Sequence, residues 1–343
     1  MTKALSFRYW KATNSLRSEQ AEEKAVLEEG FQFIISKKMK HPDMGAYSEW
    51  DDLTPSIKTT AYVLKFLRVV KDYIEIQDVH IIDALNYLIS KQDSTGRFIE
   101  SDISQEASSH NTLDHVECTA YVVISFLELT QYAERYKTNI KKALNYIAQN
   151  FDDIKDDNLV LATSFYALAL GQHGDAENYS KELMAKADKE KEMISWNTRT
   201  TQQKDLVAVS AYVILALEKM QKTLETPKIL KWLIERRNSD GQFDSTDDTV
   251  VGIQAIAAMA VHFYSEENFL DLFFYDDPKD YKQKLRLQHN VKSGKLSLPK
   301  KEGASVRKSS SFSSNKLFQF YYHSYRFKPT ALGLHTCKSF KHI

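Results

Sequence analysis

CTAYVVISFLEL, residues 118–129, is apolar around most of the circumference of the helix that it predicts, so this helix must be buried on most sides. Four other segments share its opening of small and aromatic residues: TTAYVLKFL from 59, ATSFYALAL from 162, VSAYVILAL from 209 and DTVVGIQAIAAMA from 248. Their matching hydroxyl residues lie 59, 44, 47 and 39 residues apart: Thr60, Thr119, Thr163, Ser210 and Thr249. These segments predict inner helices over 59–72, 115–130, 160–171, 206–220 and 248–264.

One-faced helices are predicted between the inner ones, over 20–38, 80–91, 139–150, 176–188 and 227–237. In 80–91 the apolar residues recur every three or four positions, which is typical of a helix with one buried face. Inner and outer helices that alternate with a period of about 45 residues predict a ring of helical hairpins. The predicted fold class is therefore mostly α, an α/α toroid. An open solenoid is the structural alternative, but the spacing varies too much for one.

A turn phrase occurs twice at the ends of outer helices, in ALNYLISKQDSTGRF (84–98) and ILKWLIERRNSDGQF (229–243). The turn glycines, Gly96 and Gly241, are predicted to adopt positive φ, and Phe98 and Phe243 to pack back onto the helices. HPDMGAYSEW, 41–50, is interpreted as a looser third copy.

The composition of the 343 residues is that of a folded, helix-rich chain. It is 43% hydrophobic, with only 10 Gly and 6 Pro, which disfavours an all-β fold with many turns. No apolar run of membrane-spanning length occurs, and the first residues do not resemble a signal peptide. Two cysteines, Cys118 and Cys337, cannot form a disulfide framework. Taken alone, these features favour a reducing compartment.

The net charge of zero conceals two halves of opposite sign. Residues 1–280 carry 32 Lys and Arg against 45 Asp and Glu, whereas 281–343 carry 14 against the single acid Glu302. This asymmetry predicts two domains, a toroid over 1–265 and a basic, Ser-rich module over 266–343. The basic module either packs against the acidic toroid or binds a polyanion.

The helical segments resemble, in order and spacing, the thioester-containing domain of the α2-macroglobulin/complement C3 family, most closely the insect-type proteins. The resemblance extends from YWKATNSL at 9–16 to AIAAMA at 255–260. It implies an α/α toroid in an extracellular protein of innate immunity or protease inhibition, contrary to the reducing compartment above. The sequon at Asn178, followed by Tyr and Ser, fits secretion as a candidate glycosylation site.

The chemistry of that family is a thioester between the Cys and Gln of a GCGEQ motif, and no GCGEQ occurs in this sequence. The chain begins within what resembles the first inner helix of the family, so we expect both ends to be truncated. We also expect the incomplete ring to self-associate through its exposed edge. Cys118 has no Gln three residues later and is predicted to be a buried core thiol.

The family also has a histidine that tunes the thioester, after the first turn phrase. Alignment of SQE with the family's HQE-like stretch places Ser104 at that position. His110 and His115 are displaced from it and are interpreted as solvated loop residues. We therefore predict no catalytic residues, and no metal or cofactor site.

Beyond 265, NFLDLFFYDD and DYKQKLRLQ predict a β-hairpin, which resembles return strands of the CUB-like β-sandwich that follows the family's toroid. LFQFYYHSYRF, 317–327, resembles a later strand. The Ser-rich segment between them departs from the family pattern.

The predicted function is therefore that of a complement-like protein without the thioester, which binds protein or microbial-surface ligands non-covalently. The alternative is an α/α-toroid enzyme of the terpenoid cyclase or prenyltransferase type. DSTDDTVVG, 244–252, is similar to a cyclase acid motif but has the wrong spacing, and Asp247 and Asp248 can cap a helix instead. No zinc-ligand set is evident on neighbouring repeats.

Overall fold

The computed structural model describes residue 5 and residues 20–40, 43–48, 55–100, 111–190, 192–196, 206–238 and 241–262, together with strands at 269–277, 280–288 and 305–308. Contacts divide the chain into two compact units, Met1–Phe263 and Tyr264–Ile343. The described part of the first unit is mostly helical.

Ten helices of eight residues or more are described, and those with even numbers are the inner ones. They are α1 Gln20–Ser36, α2 Ile57–Val70, α3 Asp78–Ser90, α4 Asn111–Glu128, α5 Lys137–Gln149, α6 Asn158–Leu170, α7 Ala176–Lys186, α8 Leu206–Lys219, α9 Thr226–Glu235 and α10 Thr246–His262. Short helical turns follow α4 and α5, at Thr130–Ala133, Glu134–Tyr136 and Phe151–Ile154. The inner helices match their predicted spans to within four residues at each end.

The inner helices pack in sequence around a ring, α2 on α4, α4 on α6, α6 on α8 and α8 on α10. The last and first inner helices meet at one residue of α4, because Gln254 of α10 and Arg68 of α2 both donate to Glu128, at 2.8 and 3.1 Å. The predicted α/α toroid is thereby confirmed.

Burial distinguishes the two sets of helices as the sequence predicted. In the inner helix α6 every residue from Val160 to Ala169 is buried. In the outer helix α5 only one face is buried, through Ile140, Ala143, Leu144 and Ile147. Apolar side chains thus fill the space between the inner and outer layers.

The turn phrases have the predicted geometry. Gly45, Gly96 and Gly241 have φ of 98°, 101° and 79°, which confirms 41–50 as a third copy. At Gly45 and Gly96 an added Cβ would also overlap the backbone carbonyl of Asp83 or Lys142 in a neighbouring outer helix. These two turns therefore require glycine both for the backbone conformation and for close packing.

A small hairpin interrupts the helical pattern and was not predicted. Strands β1 Asp188–Glu190 and β2 Met193–Ser195 pair antiparallel, so the helix predicted over 176–188 ends at Lys186. The fully buried Trp196 secures the hairpin, because its Nε1–H donates to the carbonyl of Leu183 at 2.7 Å.

The second unit contains a three-stranded sheet in the order β4–β3–β5, with β3 Phe269–Asp277, β4 Asp280–Gln288 and β5 Ser305–Lys308. The antiparallel pairing of β3 with β4 confirms the predicted hairpin. β5, in the Ser-rich segment, was not predicted. The strand predicted over 317–327 lies outside the described residues, and the CUB-like assignment stays a prediction.

Candidate functional site

The candidate site is the face of the toroid at which the inner helices begin, because the turn phrases contact the helices that follow them there. The repeated hydroxyl residues organise this face. In three repeats the hydroxyl accepts a 3.0 Å hydrogen bond from the backbone N–H two residues after the turn glycine: Tyr47 to Thr60, Phe98 to Thr119 and Phe243 to Thr249. Each threonine also donates to the carbonyl four residues earlier, within its own helix or directly before it. The turn phrase is therefore fastened to the helix that follows it.

Thr163 of α6, which no turn phrase precedes, shows the contrast. Its hydroxyl donates at 2.9 Å to the carbonyl of Leu159, and the described residues offer no backbone N–H to it. The pair of hydrogen bonds, one accepted and one donated by the hydroxyl, thus occurs in the repeats that carry the turn phrase.

Carboxylates of the chain occupy the N-terminal ends of three inner helices. Each accepts from backbone N–H groups that have no partner within their own helix: Glu100 from Ile57 and Lys58 of α2 (both 2.9 Å), Asp157 from Leu159 and Val160 of α6 (both 2.9 Å), and Asp248 from Ala208 of α8 (3.1 Å). The positive ends of these helices are thus filled by the protein's own charges.

The cap of Asp248's own helix, α10, is provided by Ser245. The backbone N–H of Asp248 donates to Ser245 Oγ at 3.0 Å, and Ser245 Oγ donates to the Asp248 carboxylate at 2.9 Å. The prediction that Asp248 can cap a helix therefore holds for α8, whereas Ser245 is the N-cap of α10, and the cyclase-like acid stretch is part of this cap.

Cys118 lies in α4 with only 1% of its surface exposed and is a free cysteine. Burial, followed by the negative charge of Glu100, raises the pKa of its thiol to about 12. The group is therefore a neutral thiol at physiological pH, without the thiolate character of a nucleophile. The predicted core thiol is confirmed.

His115 corrects the sequence interpretation. It was taken for a solvated loop residue, but α4 begins at Asn111, so His115 lies inside this helix and is buried. Burial, and then the positive charge of Arg97, lowers the pKa of its imidazole. It is therefore a neutral core histidine.

A polar cluster lies among the middle and C-terminal parts of the inner helices. The carboxylate of Glu128, at the end of α4, accepts from the Tyr166 hydroxyl of α6 at 2.9 Å and from Gln254 Nε2 of α10 at 2.8 Å. Arg68 of α2 donates to the backbone carbonyl of Glu128 at 3.1 Å. Glu128 thereby joins four inner helices.

Lys65 of α2 belongs to this cluster and is 96% buried, with 4% of its surface exposed. Its ammonium nitrogen lies 4.9 Å from the centre of the Tyr121 ring, a cation–π contact. Burial lowers the pKa of Lys65, and the charges of Glu128 and Asp247 oppose this shift.

A family profile for the A-macroglobulin TED domain matches residues 2–259. The chain belongs to this family. Relatives of this TED domain include thioester-containing protein 1 allele R1 of Anopheles gambiae, which is 28% identical over 221 residues, 63% of this chain and 16% of the relative. Complement C3 of Lethenteron camtschaticum is 26% identical over 280 residues (76% and 16%), and ovostatin of Gallus gallus 29% over 274 residues (72% and 18%). The chain thus spans less than a fifth of these relatives.

The family assignment bears on the alternative function. Residues 2–259 are a TED domain of the family that includes complement C3 and ovostatin, which are not enzymes of the cyclase or prenyltransferase type. Among the described residues, no three His, Cys, Asp or Glu side chains are grouped as metal ligands. No described helix is long and apolar enough to cross a membrane.

Of the remaining residues singled out in the sequence, Asn178 is described by the structure and three others are not. Asn178 is exposed in the first turn of α7, whereas Ser180, the third residue of its sequon, is buried. Ser104, His110 and Cys337 lie outside the described residues. Sequence reasoning missed Lys65 and Glu128. Their placement as single charges within otherwise apolar inner segments was the available clue.

Proposed function

We propose that this TED domain acts in an extracellular protein of immunity or protease inhibition, and that its own residues contact targets non-covalently. The names of its relatives support the setting. The observation that supports non-covalent binding is the buried thiol of Cys118. It is un-ionised at neutral pH, and the sequence has no GCGEQ that could supply another acylating group.

The test is an intact mass measurement after incubation with methylamine and with glycerol, which open thioesters as small nucleophiles. We expect no mass gain in the parent chain or in a Cys118→Ala control. A gain that disappears in the Cys118→Ala variant would show that Cys118 carries an acyl group, and would overturn the proposal.

The proposed targets are protein or microbial-surface ligands. The chain would be mixed with yeast particles, bacteria and proteases, and each complex then boiled in SDS. We expect all the bound chain to be released, because non-covalent contacts do not survive denaturation. A band that resists SDS but is removed by hydroxylamine would reveal an ester and contradict the proposal.

Secretion is proposed together with glycosylation at Asn178, since its exposed side chain leaves room for a glycan on the folded domain. Expression through a secretory pathway should give a mass that falls on glycosidase treatment. Asn178→Gln should remove that difference. An unmodified, secreted parent chain would exclude the site.

A further inference from the structure

An open cavity of about 440 Å³ lies between the end of α4, the outer helix α5 and the turn at 171–174. Its size is within the range of about 300–1,000 Å³ that is typical of small-ligand sites. Apolar side chains from the two helices form one wall: Leu127, Ile140 and Leu144. Polar side chains also line it, among them Lys141, Gln172 and the paired Glu134 and Lys137, so the cavity offers both apolar and polar contacts.

The turn at the lip of this cavity is strained. Gln172 has a φ of 53°, and His173 N–H donates to the carbonyl of Leu168 at 2.9 Å, which is the helix end that usually carries glycine. A glutamine occupies this left-handed conformation, which favours glycine, and its side chain lines the cavity. Strained residues that are retained in this way concentrate at ligand sites.

The end of α8 supplies an internal comparison. Gln221 has a φ of 58°, and Lys222 N–H donates to the carbonyl of Leu217 at 2.9 Å, so the backbone motif is the same. Gln221 does not line this cavity. The two glutamines therefore share the strain but differ in what they face.

The cavity also has an unpaired cation. Lys137 is paired with Glu134 at 3.0 Å, but Lys141 lines the cavity without a hydrogen bond or ion pair to any described residue. This positive charge lies in the half of the chain that has an excess of acidic residues. A ligand that matches the cavity must therefore offer one negative charge next to an apolar body.

We propose that this cavity binds a small amphipathic carboxylate, with its hydrocarbon chain against Leu127, Ile140 and Leu144 and its carboxylate at Lys141 and the Gln172 amide. A neutral hydrocarbon would leave the charge of Lys141 unmatched. A polyanion would place charge against the apolar wall, where it would lose its hydration. The proposal is independent of whether the chain acts covalently.

Octanoate is the probe, with octanol as a ligand that has the chain but no charge and acetate as one that has the charge but no chain. Binding would be measured by isothermal titration and by saturation-transfer NMR. We expect saturable binding of octanoate, weaker binding of octanol and none of acetate, because each of the latter two lacks one half of the match. Equal binding of octanoate and octanol, or no saturable octanoate binding, would overturn the proposal.

Two pairs of variants locate the site. Lys141→Gln should weaken octanoate binding by about tenfold, as expected for loss of one charge-assisted contact, and leave octanol binding unchanged. The neighbouring Lys142→Gln, which does not line the cavity, should have no effect. Gln172→Gly should weaken octanoate binding, while Gln221→Gly should not. Equal effects within either pair would show that the carboxylate binds elsewhere.

Discussion

At the scale of single residues, the hydroxyl of Thr119 makes two bonds that its replacement by valine would remove. It donates to the carbonyl of His115 at 2.6 Å and accepts from Phe98 N–H at 3.0 Å. Thr119→Val keeps the shape but leaves the Phe98 N–H buried without a partner. We expect a loss of about 1–3 kcal/mol in the free energy of unfolding, measured by urea denaturation.

Thr163→Val is the matched control. This hydroxyl bonds only to the Leu159 carbonyl within the described structure, and that carbonyl can keep its helical bond. We expect a loss below about 1 kcal/mol. If the two variants lose the same stability, the bond to the turn phrase contributes nothing of its own.

The thiol of Cys118 predicts how stability depends on alkaline pH. In the folded state its pKa is raised, by burial and then by the charge of Glu100, to about 12, against an ordinary value of 9.0. Between these values the folded state holds a proton that the unfolded state has released. The stabilising contribution is therefore complete below the lower pKa and is lost as the pH rises towards the higher one.

We expect the parent chain to lose about 1 kcal/mol more per pH unit than Cys118→Ala between about pH 9 and 11, measured by urea denaturation. Both proteins would carry Cys337→Ser, so that only one thiol differs. Tyrosines that titrate in the same range contribute equally to both curves. Parallel curves would contradict the raised pKa.

At the scale of the elements, helix α2 is capped by the carboxylate of Glu100, which lies two residues after the turn phrase at 84–98. Glu100 accepts from the N–H groups of Ile57 and Lys58 at 2.9 Å, where the helix dipole is positive. Glu100→Gln keeps one acceptor but removes the charge. We expect a loss of about 0.5–1 kcal/mol and a lower melting temperature by calorimetry.

Glu117→Gln makes the same chemical change beside the same helix. It breaks only the ion pair between Glu117 and Lys58 Nζ, which are 3.0 Å apart. Both side chains of this pair are partly exposed. Such a pair contributes about 0.5 kcal/mol or less. A larger loss of stability from Glu117→Gln than from Glu100→Gln would contradict the capping role of Glu100.

The helices could be predicted from the sequence because the spacing of apolar residues in each segment indicates which faces of its helix are buried. α6 is apolar all round and α5 on one face only, and each is packed accordingly. The β1–β2 hairpin could not be predicted, because strands of three residues carry too little alternation and depend on the docking of Trp196. The cavity was equally hidden, because its walls come from α4, α5 and a turn beyond α6.

At the scale of the whole molecule, the two units differ in charge, and the sequence leaves open whether the basic one packs against the acidic toroid or binds a polyanion. β4 carries Lys282, Lys284 and Arg286 at alternate positions. Changing all three to Gln should lower the salt concentration at which the chain elutes from a heparin column, because fewer cations contact the sulfates.

The control for net charge is a variant in which three exposed lysines of the toroid are likewise changed to Gln: Lys24, Lys137 and Lys189. It should elute at the same salt concentration as the parent. If both variants shift equally, retention follows the overall charge and the basic unit has no separate binding role.

The hydrogen bond between Glu128 and Gln254 joins residues 126 positions apart, which matters while the chain is being synthesised. At about 5–20 residues per second, a ribosome needs roughly 6–25 s to add the second partner after the first. Throughout that interval the half-built ring has an open interior, and a charged carboxylate and an ammonium group keep part of it hydrated. Leucines in their place would present a bare apolar surface to other nascent chains. We therefore expect the charges that cost solvation in the finished ring to lower aggregation of the chain before the ring closes.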